Sequence, residues 1–201
     1  MTLENKDFQL VALAGYGQRL AKIPDGFDSD VNDYLKSLRR GLVLSVEGNY
    51  YFNDTWGTGL KYSFFSSNKD FSSSGFGPFI RDEIQIHYVA PQVLVRTVSK
   101  NGKHMFISAL GIGYTVYNDD VFADQQEINL TGNSIAFNTD IGYEFQFNDY
   151  AAFVIRVGLT SGSLNKLTSK GENGSQTIEL EGDDRESLTR LDFMGGFRIK
   201  L

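Results

Sequence analysis

Hydrophobic and polar residues alternate along most of this chain, and a period of two is typical of β-strands with two different faces. We recognise about eight such segments, each of roughly ten residues. In the clearest, residues 42–52, Leu42, Leu44 and Val46 share one face and Glu47 lies on the other. The pattern therefore predicts an all-β chain.

Alternation is equally clear in segments 56–64, 135–147, 153–160 and 190–201. It is weaker, so that the two faces cannot be assigned, in segments 8–20, 84–98 and 104–117. Pro91 lies inside one of these weaker segments. Because proline cannot donate a hydrogen bond to a neighbouring strand, it predicts a sheet edge or a bulge at that point.

Short and long connections alternate between the predicted strands. The short turns fall at residues 53–55, 100–103 and 148–150. The long connections, rich in Asp, Asn, Ser and Gly, fall at residues 21–40, 66–83, 118–133 and 165–188. Up-and-down order places all short turns at one end of the molecule. This arrangement predicts an eight-stranded antiparallel up-and-down transmembrane β-barrel with three short periplasmic turns and four long extracellular loops.

A soluble, lipocalin-like barrel with its apolar face inside is the alternative, and three features favour the opposite arrangement. The polar face is rich in glycine, as a narrow interior requires: Gly57, Gly59, Gly142, Gly158 and Gly196. It also carries charges of both signs that would pair inside a barrel: Glu47, Lys61, Arg96, Asp140, Glu144, Arg156, Arg190, Asp192 and Arg198. The apolar face gathers aromatic residues at the turn end, where a membrane interface would lie: Tyr50, Phe52, Trp56, Phe145, Phe147 and Phe153.

Three stretches carry a family resemblance: Tyr51-Phe52-Asn53-Asp54-Thr55-Trp56-Gly57, Leu110-Gly111-Ile112-Gly113-Tyr114 and Phe197-Arg198-Ile199-Lys200-Leu201. On these the whole chain resembles the small eight-stranded outer-membrane barrels, the group of the OmpA transmembrane domain, OmpX and the opacity proteins. The resemblance implies a fold and a location rather than an activity. In that group the last strand typically ends in an aromatic residue, whereas this chain has Leu201.

Composition limits the classes of partner and compartment. The net charge of −6 and a pI near 4.9 argue against a nucleic-acid partner, since no basic stripe is available to neutralise phosphates. The chain has no cysteine, and residues 1–7 are polar and lack the features of a signal peptide. We therefore expect one domain, residues 1–201, located in the bacterial outer membrane, with the signal peptide already removed from the numbered chain.

Candidate catalytic and metal-binding motifs are few. The chain has two histidines, His87 and His104, and neither has partners at catalytic or metal-ligand spacing. A calcium-loop-like start at residues 28–32 lacks the glycine and the closing glutamate of a true site. Asp119-Asp120 and Asp183-Asp184 could hold divalent cations, but solvated acidic loops are the preferred interpretation. We expect no enzyme activity, catalytic residue, cofactor or metal site.

The function predicted is that of a non-enzymatic integral outer-membrane barrel with a structural or surface-interaction role. It would act through its extracellular loops or its wall, as part of an envelope assembly. The expected partners are outer-membrane lipid, lipopolysaccharide and a protein bound at the loops or the wall. Because residues 165–188 carry more acids than bases, a cationic or metal-bridged loop partner is favoured. The alternatives are a lipid-modifying outer-membrane enzyme, a small channel and a soluble ligand-binding barrel.

Overall fold

The structure is a computed structural model that describes residues 7–21, 26, 28–71, 80–123, 126–171, 174–182 and 185–201. In chain order its elements are β1 (Asp7–Arg19), α1 (Ser29–Leu38), β2 (Arg40–Tyr51), β3 (Trp56–Phe71), β4 (Ile80–Val98), β5 (His104–Ala123), β6 (Gln126–Gln146), β7 (Ala151–Leu164), β8 (Lys166–Gly171), β9 (Gly174–Glu179), β10 (Glu186–Ser187) and β11 (Arg190–Lys200).

Eight of these strands, β1 to β7 and β11, close into an antiparallel barrel. Each strand pairs with the next along the chain, and the first and last barrel strands close the cylinder: Leu13 of β1 lies between Ser45 of β2 and Gly196 of β11. Closure leaves no barrel strand with an unpaired edge, as a membrane-spanning sheet requires. The predicted fold class is confirmed.

Asparagine side chains build the three short turns. The Oδ1 of Asn53 accepts hydrogen bonds from the backbone N–H groups of Thr55 and Trp56, and Asn148 does the same for Tyr150 and Ala151. In the third turn, Asn101 Oδ1 accepts from the backbone N–H of Lys103, and Gly102 adopts a φ of 71°, which favours glycine. The local sequence therefore fixes where each pair of strands reverses direction.

Two of the long connections are largely strand, contrary to expectation. The segments 66–83 and 118–133 were predicted as loops, but β3 and β4 continue through much of the first and β5 and β6 through nearly all of the second. Apart from Phe122, these extensions are polar on their outer face, so they lack the hydrophobic alternation by which strands are recognised. Cross-strand pairs such as Asp70 with Arg81, at 2.6 Å, join them instead.

The other two connections also contain regular structure. Helix α1 lies within residues 21–40, and the short strands β8, β9 and β10 lie within residues 165–188. Strand β8 pairs with the outer end of β6 and β9 pairs with β8, so the sheet continues beyond the barrel. Asp183 and Asp184 lie outside the described residues.

Pro91 lies inside the sheet without a bulge. The register between β4 and β5 is the same on both sides of it, with Val89 opposite Tyr114 and Gln92 opposite Gly111. The expected edge or bulge is therefore wrong. The ladder with β5 lacks paired residues only at Ala90 and Pro91, while pairing with β3 is continuous.

The three strands with unassigned faces have apolar residues on both sides. Val11 and Leu13 of β1 point into the barrel and are buried, while Leu10 on the same strand is exposed. Likewise Leu94 of β4 is buried and Val93 is exposed. An apolar interior next to an apolar exterior removes the contrast on which assignment of a face depends.

A continuous apolar belt surrounds the outside of the barrel. Large hydrophobic side chains on it are more than half exposed, among them Leu110, Ile112, Ile135, Phe137, Ile141, Ile155 and Phe197. An exposed apolar surface of this extent is typical of a protein that contacts lipid and is not expected on a water-soluble barrel. Within the described ranges, no helix has the length and apolar character needed to cross a membrane.

The belt predicts that the loss of stability caused by an arginine substitution depends on the depth of the substituted residue in the membrane. Leu110 lies midway along the outer face of β5, and Asn118 lies on the same face beyond the loop end of the belt. We expect Leu110→Arg to reduce the free energy of unfolding by about 2–4 kcal/mol and Asn118→Arg by about 0–1 kcal/mol, because arginine is costly only within the hydrocarbon layer. Urea unfolding in phospholipid vesicles measures both. Equal losses would contradict the membrane placement of the belt.

Candidate functional site

Aromatic side chains ring the turn end of the belt. Phe52, Trp56, Phe145 and Phe147 are exposed there, and Tyr50 and Phe153 are half-buried. Phe145 packs edge-on against Phe147 at 5.7 Å between ring centroids, and Phe153 packs against Phe197 of β11 at 5.9 Å. All six sequence-predicted aromatics thus lie on the outward face, as an interfacial girdle requires.

The nine charged residues of the polar face lie inside the barrel, each with no more than a few per cent of its surface exposed. They come from six strands, β2, β3, β4, β6, β7 and β11. Four are acids and five are bases: Glu47, Asp140, Glu144 and Asp192 against Lys61, Arg96, Arg156, Arg190 and Arg198. Their burial would be prohibitive without partners.

Six of these residues form one connected chain of opposite charges across the bore. At its centre, Arg156 Nη1 donates to both carboxylate oxygens of Glu47, at 2.7 and 2.6 Å. On one side Arg156 approaches Glu144, which accepts from Arg198 Nε at 3.1 Å. On the other side Lys61 lies 3.9 Å from Glu47 and forms an ion pair with Asp140. We call these six residues the bore network.

The remaining three charges lie beside the bore network. Arg190 Nε donates to Asp192 at 2.7 Å, and a terminal nitrogen of Arg190 donates to Ser63 at 3.0 Å. The guanidinium of Arg96 stacks over the ring of Tyr51, 3.9 Å from its centroid, and donates to the backbone oxygen of Asp54. All four interior acids therefore have a cation within 4 Å.

Glycines make the space that this network occupies. A Cβ added at Gly158 would lie 2.3 Å from Asp140 Oδ1, and one at Gly59 would lie 2.2 Å from Asn49 Oδ1. Neither distance is tolerable for a side chain atom. At these two positions glycine makes room for a polar neighbour, and the bore is filled by side chains.

Helix α1 covers the open, loop end of the barrel. Leu38 at its end is buried in an apolar cluster with Ile84 and Tyr117 of the strands below. Tyr34 on the same helix packs against Phe71, at 4.9 Å between ring centroids, and donates a hydrogen bond of 2.8 Å to Asp82 Oδ2. Sequence reasoning missed this helix because its sequence, SDVNDYLKSL, is short and polar and has weak helix formers.

Buried polar groups lie beneath the helix, beyond the loop end of the belt. Arg19 pairs with Glu186 at 2.5 Å, and Tyr117 donates to Asp119 Oδ2 at 2.9 Å. Asp119, which the sequence placed in a solvated acidic loop, is instead a buried strand residue with 9% of its surface exposed. Burial raises the pKa of its carboxyl to about 6, and burial also raises the pKa of Asp82. No spacing in the sequence indicates that these distant residues meet.

The two histidines lie on the outer face and bond to tyrosines on neighbouring strands. His87 Nδ1 is 2.8 Å from the hydroxyl of Tyr62, and His104 Nδ1 is 2.6 Å from that of Tyr143. In the described part of the chain neither imidazole ring has a hydrogen bond to a serine or an acid, although the backbone N–H of His104 donates to Ser99 Oγ at 3.1 Å. The lipid-modifying alternative depends on such a partner. The same residues include no cluster of three or more His, Asp or Glu side chains placed to hold a metal.

A shallow groove of about 740 Å³ crosses the outer wall between β3 and β7. The residues that line it include Thr58, Pro91, Leu110, Phe137 and Thr139. It lies within the apolar belt, where lipid chains or a membrane-embedded partner would cover it.

No family model matches this chain, and no curated protein matches it by sequence. Solved structures match it in fold. Neisserial surface protein A is 11% identical with a TM-score of 0.61, and a major outer membrane protein from Thermus thermophilus is 11% identical with a TM-score of 0.66; each match covers 98% of this chain and 100% of the other. The outer membrane protease OmpT from Escherichia coli is 7% identical with a TM-score of 0.51, over 98% of this chain and 96% of its own.

The fold and the belt together define the class of protein. This chain has the architecture of the small eight-stranded outer-membrane β-barrels, and the resemblance inferred from its sequence is confirmed for the fold. Because the matches include a protease as well as a surface protein, the fold by itself does not select an activity.

The bore network predicts strong coupling between Glu47 and Arg156. We expect Glu47→Gln and Arg156→Gln each to reduce the free energy of unfolding by about 3–5 kcal/mol, because each leaves a buried charge without its partner. The double variant should lose clearly less than the sum of the two. Urea unfolding gives all three values. The exposed pair Lys166–Glu179 is the control, since Glu179→Gln should leave stability unchanged. Additive losses at Glu47 and Arg156 would contradict the network.

Asp119 predicts a dependence of stability on pH. Its pKa is about 6 in the folded barrel and near 4 in an unfolded chain, so folding favours the protonated form. Its contribution is therefore favourable below about pH 4 and is lost as the pH rises through 6. The Asp119→Asn variant should melt progressively above the parent protein as the pH is raised from 4.5 to 7.5, measured by circular dichroism. Because Asp82, Glu186 and Arg19 are retained in the variant, a difference independent of pH would refute the assignment.

Proposed function

We propose that this protein is a non-enzymatic integral protein of the bacterial outer membrane that presents its extracellular strands to a partner outside the cell. The filled bore is the observation that carries the proposal. An outer-membrane barrel that conducts solutes needs a continuous aqueous path, whereas the bore network spans the interior of this one. The small-channel alternative is disfavoured for the same reason.

The loop end offers a large surface for contact. Strands β3 to β6 extend beyond the belt, and the hairpin of β8 and β9 adds to their sheet. Every residue of β9 is exposed, and β9 forms the edge of the sheet as far as the structure describes it. An exposed edge strand can bind an extended segment of a partner through backbone hydrogen bonds. This surface supports the role in surface interaction.

The surrounding lipid is the second partner of the proposal. The apolar belt contacts hydrocarbon, and the exposed Arg40 lies on the outer face of β2 next to the loop end of the belt. That is the level at which phosphate groups of lipopolysaccharide would lie in an outer leaflet. The groove in the wall is the site that a membrane-embedded partner would occupy.

Absence of catalysis is also part of the proposal. The support comes from the histidines, whose hydrogen bonds go to tyrosine hydroxyls on the lipid-facing wall. The likeness to OmpT concerns the shared barrel and does not carry its chemistry to this chain.

The absence of cysteine makes the orientation directly testable. In Gln176→Cys, the thiol on β9 should react with a membrane-impermeant maleimide in intact cells, because β9 lies at the extracellular end. In Asp149→Cys, the thiol in a short turn should react only after the outer membrane is permeabilised. Both variants should react fully in detergent, which controls for accessibility. The reverse pattern, or equal labelling of both in intact cells, would overturn the proposed orientation.

A further inference from the structure

A cavity of about 290 Å³, distinct from the groove in the outer wall, lies beneath helix α1 at the loop end of the barrel. Its apolar walls are formed by Leu35 and Leu38 of the helix and by Ile84, Leu130 and Leu167 of the strands. Asp82 and Asp119 line it from adjacent strands. The size is near the lower end of the range of small-molecule sites. We call it the mouth pocket.

Each of the two aspartates in the mouth pocket has one satisfied and one unsatisfied oxygen. The Oδ2 of Asp82 accepts from Tyr34, and the Oδ2 of Asp119 accepts from Tyr117. The Oδ1 atoms of both are buried and have no hydrogen-bond partner among the described residues. Buried carboxylate oxygens are normally paired, so two unpaired ones lining the same cavity indicate an occupant that donates hydrogen bonds.

The net charge of the residues lining the mouth pocket would be balanced by one cation. Asp82, Asp119 and Glu186 line it together with two arginines. The guanidinium of Arg19 pairs with Glu186, and within the described ranges neither aspartate has a cation within 4 Å. With all groups ionised, the lining carries a net charge of about −1 by formal charges. An occupant with a single positive charge would balance it.

The walls discriminate between classes of cation. Calcium binds about six to eight oxygen ligands and magnesium keeps its waters, but this pocket combines two free carboxylate oxygens with leucine and isoleucine. A primary ammonium group has three N–H donors and an attached hydrocarbon part. The donors match the two oxygens, and the hydrocarbon matches the apolar walls. We propose that the mouth pocket binds a small organic ammonium ion between Asp82 and Asp119.

This site is independent of the proposed role in surface interaction, since it requires only the closed barrel and its helix. Titration calorimetry of n-butylammonium chloride into the full chain in lipid nanodiscs tests it. We expect saturable binding, with no saturable binding of the neutral n-butanol and none of calcium chloride. Binding of butanol with equal affinity, or of calcium alone, would overturn the proposal, as would no binding of butylammonium.

Matched variants locate the binding. Asp119→Asn should weaken binding at least about tenfold, because it removes a charged acceptor. Asp120→Asn, on the outer face of the same strand, should leave binding unchanged. Leu35→Trp should abolish binding by filling the pocket while both carboxylates remain, with circular dichroism showing that each variant is folded. Unchanged affinity in Asp119→Asn or in Leu35→Trp would overturn the site.

Discussion

The width of an eight-stranded barrel is the constraint on which the rest of this structure depends. Closing eight strands leaves an interior only wide enough for side chains, and every inward position must fit its opposite neighbours. Large polar groups therefore face glycine, as Asp140 faces Gly158. The same narrowness excludes bulk water, so each buried charge needs a partner inside the barrel. The glycine content, the ion pairs and the filled bore all follow from this one geometric limit.

The interior of the barrel holds both charged and apolar side chains. In the middle and toward the turns, charged residues form the bore network, whose central pair, Glu47 and Arg156, is separated by 109 residues in the chain. Toward the loop end, Val43, Phe65 and Ile86 form an apolar cluster, which helix α1 extends through Leu38. An apolar interior is tolerable there because the helix shields it from water. The helix and the apolar cluster beneath it therefore depend on each other.

Sequence alone predicted the parts of the fold that depend on local pattern. Alternation and the turn residues Asn53, Asn101 and Asn148 gave the strand number and the turn positions, because both signals are read within a few neighbouring residues. The charges on the inward face were visible for the same reason. Helix α1 and the strand extensions were missed, since segments that are polar on a water-exposed surface show little hydrophobic periodicity. Which acid pairs with which base depends on closure, and no local pattern records it.

The carboxylates of the bore and those of the mouth pocket differ in how they are paired, and this difference bears on function. In the bore, each of the four acids has a cation within 4 Å, although Glu144 Oε1 lies there without a hydrogen bond among the described residues. At the mouth, Asp119 is buried and Asp82 is half-buried, one oxygen of each has no hydrogen-bond partner, and neither has a cation within 4 Å in the described part of the chain. The bore carboxylates are thus balanced by cations of the chain itself, whereas the two mouth carboxylates are not. The mouth, where a ligand can reach the barrel from outside, is therefore the part of the interior that recognition would use.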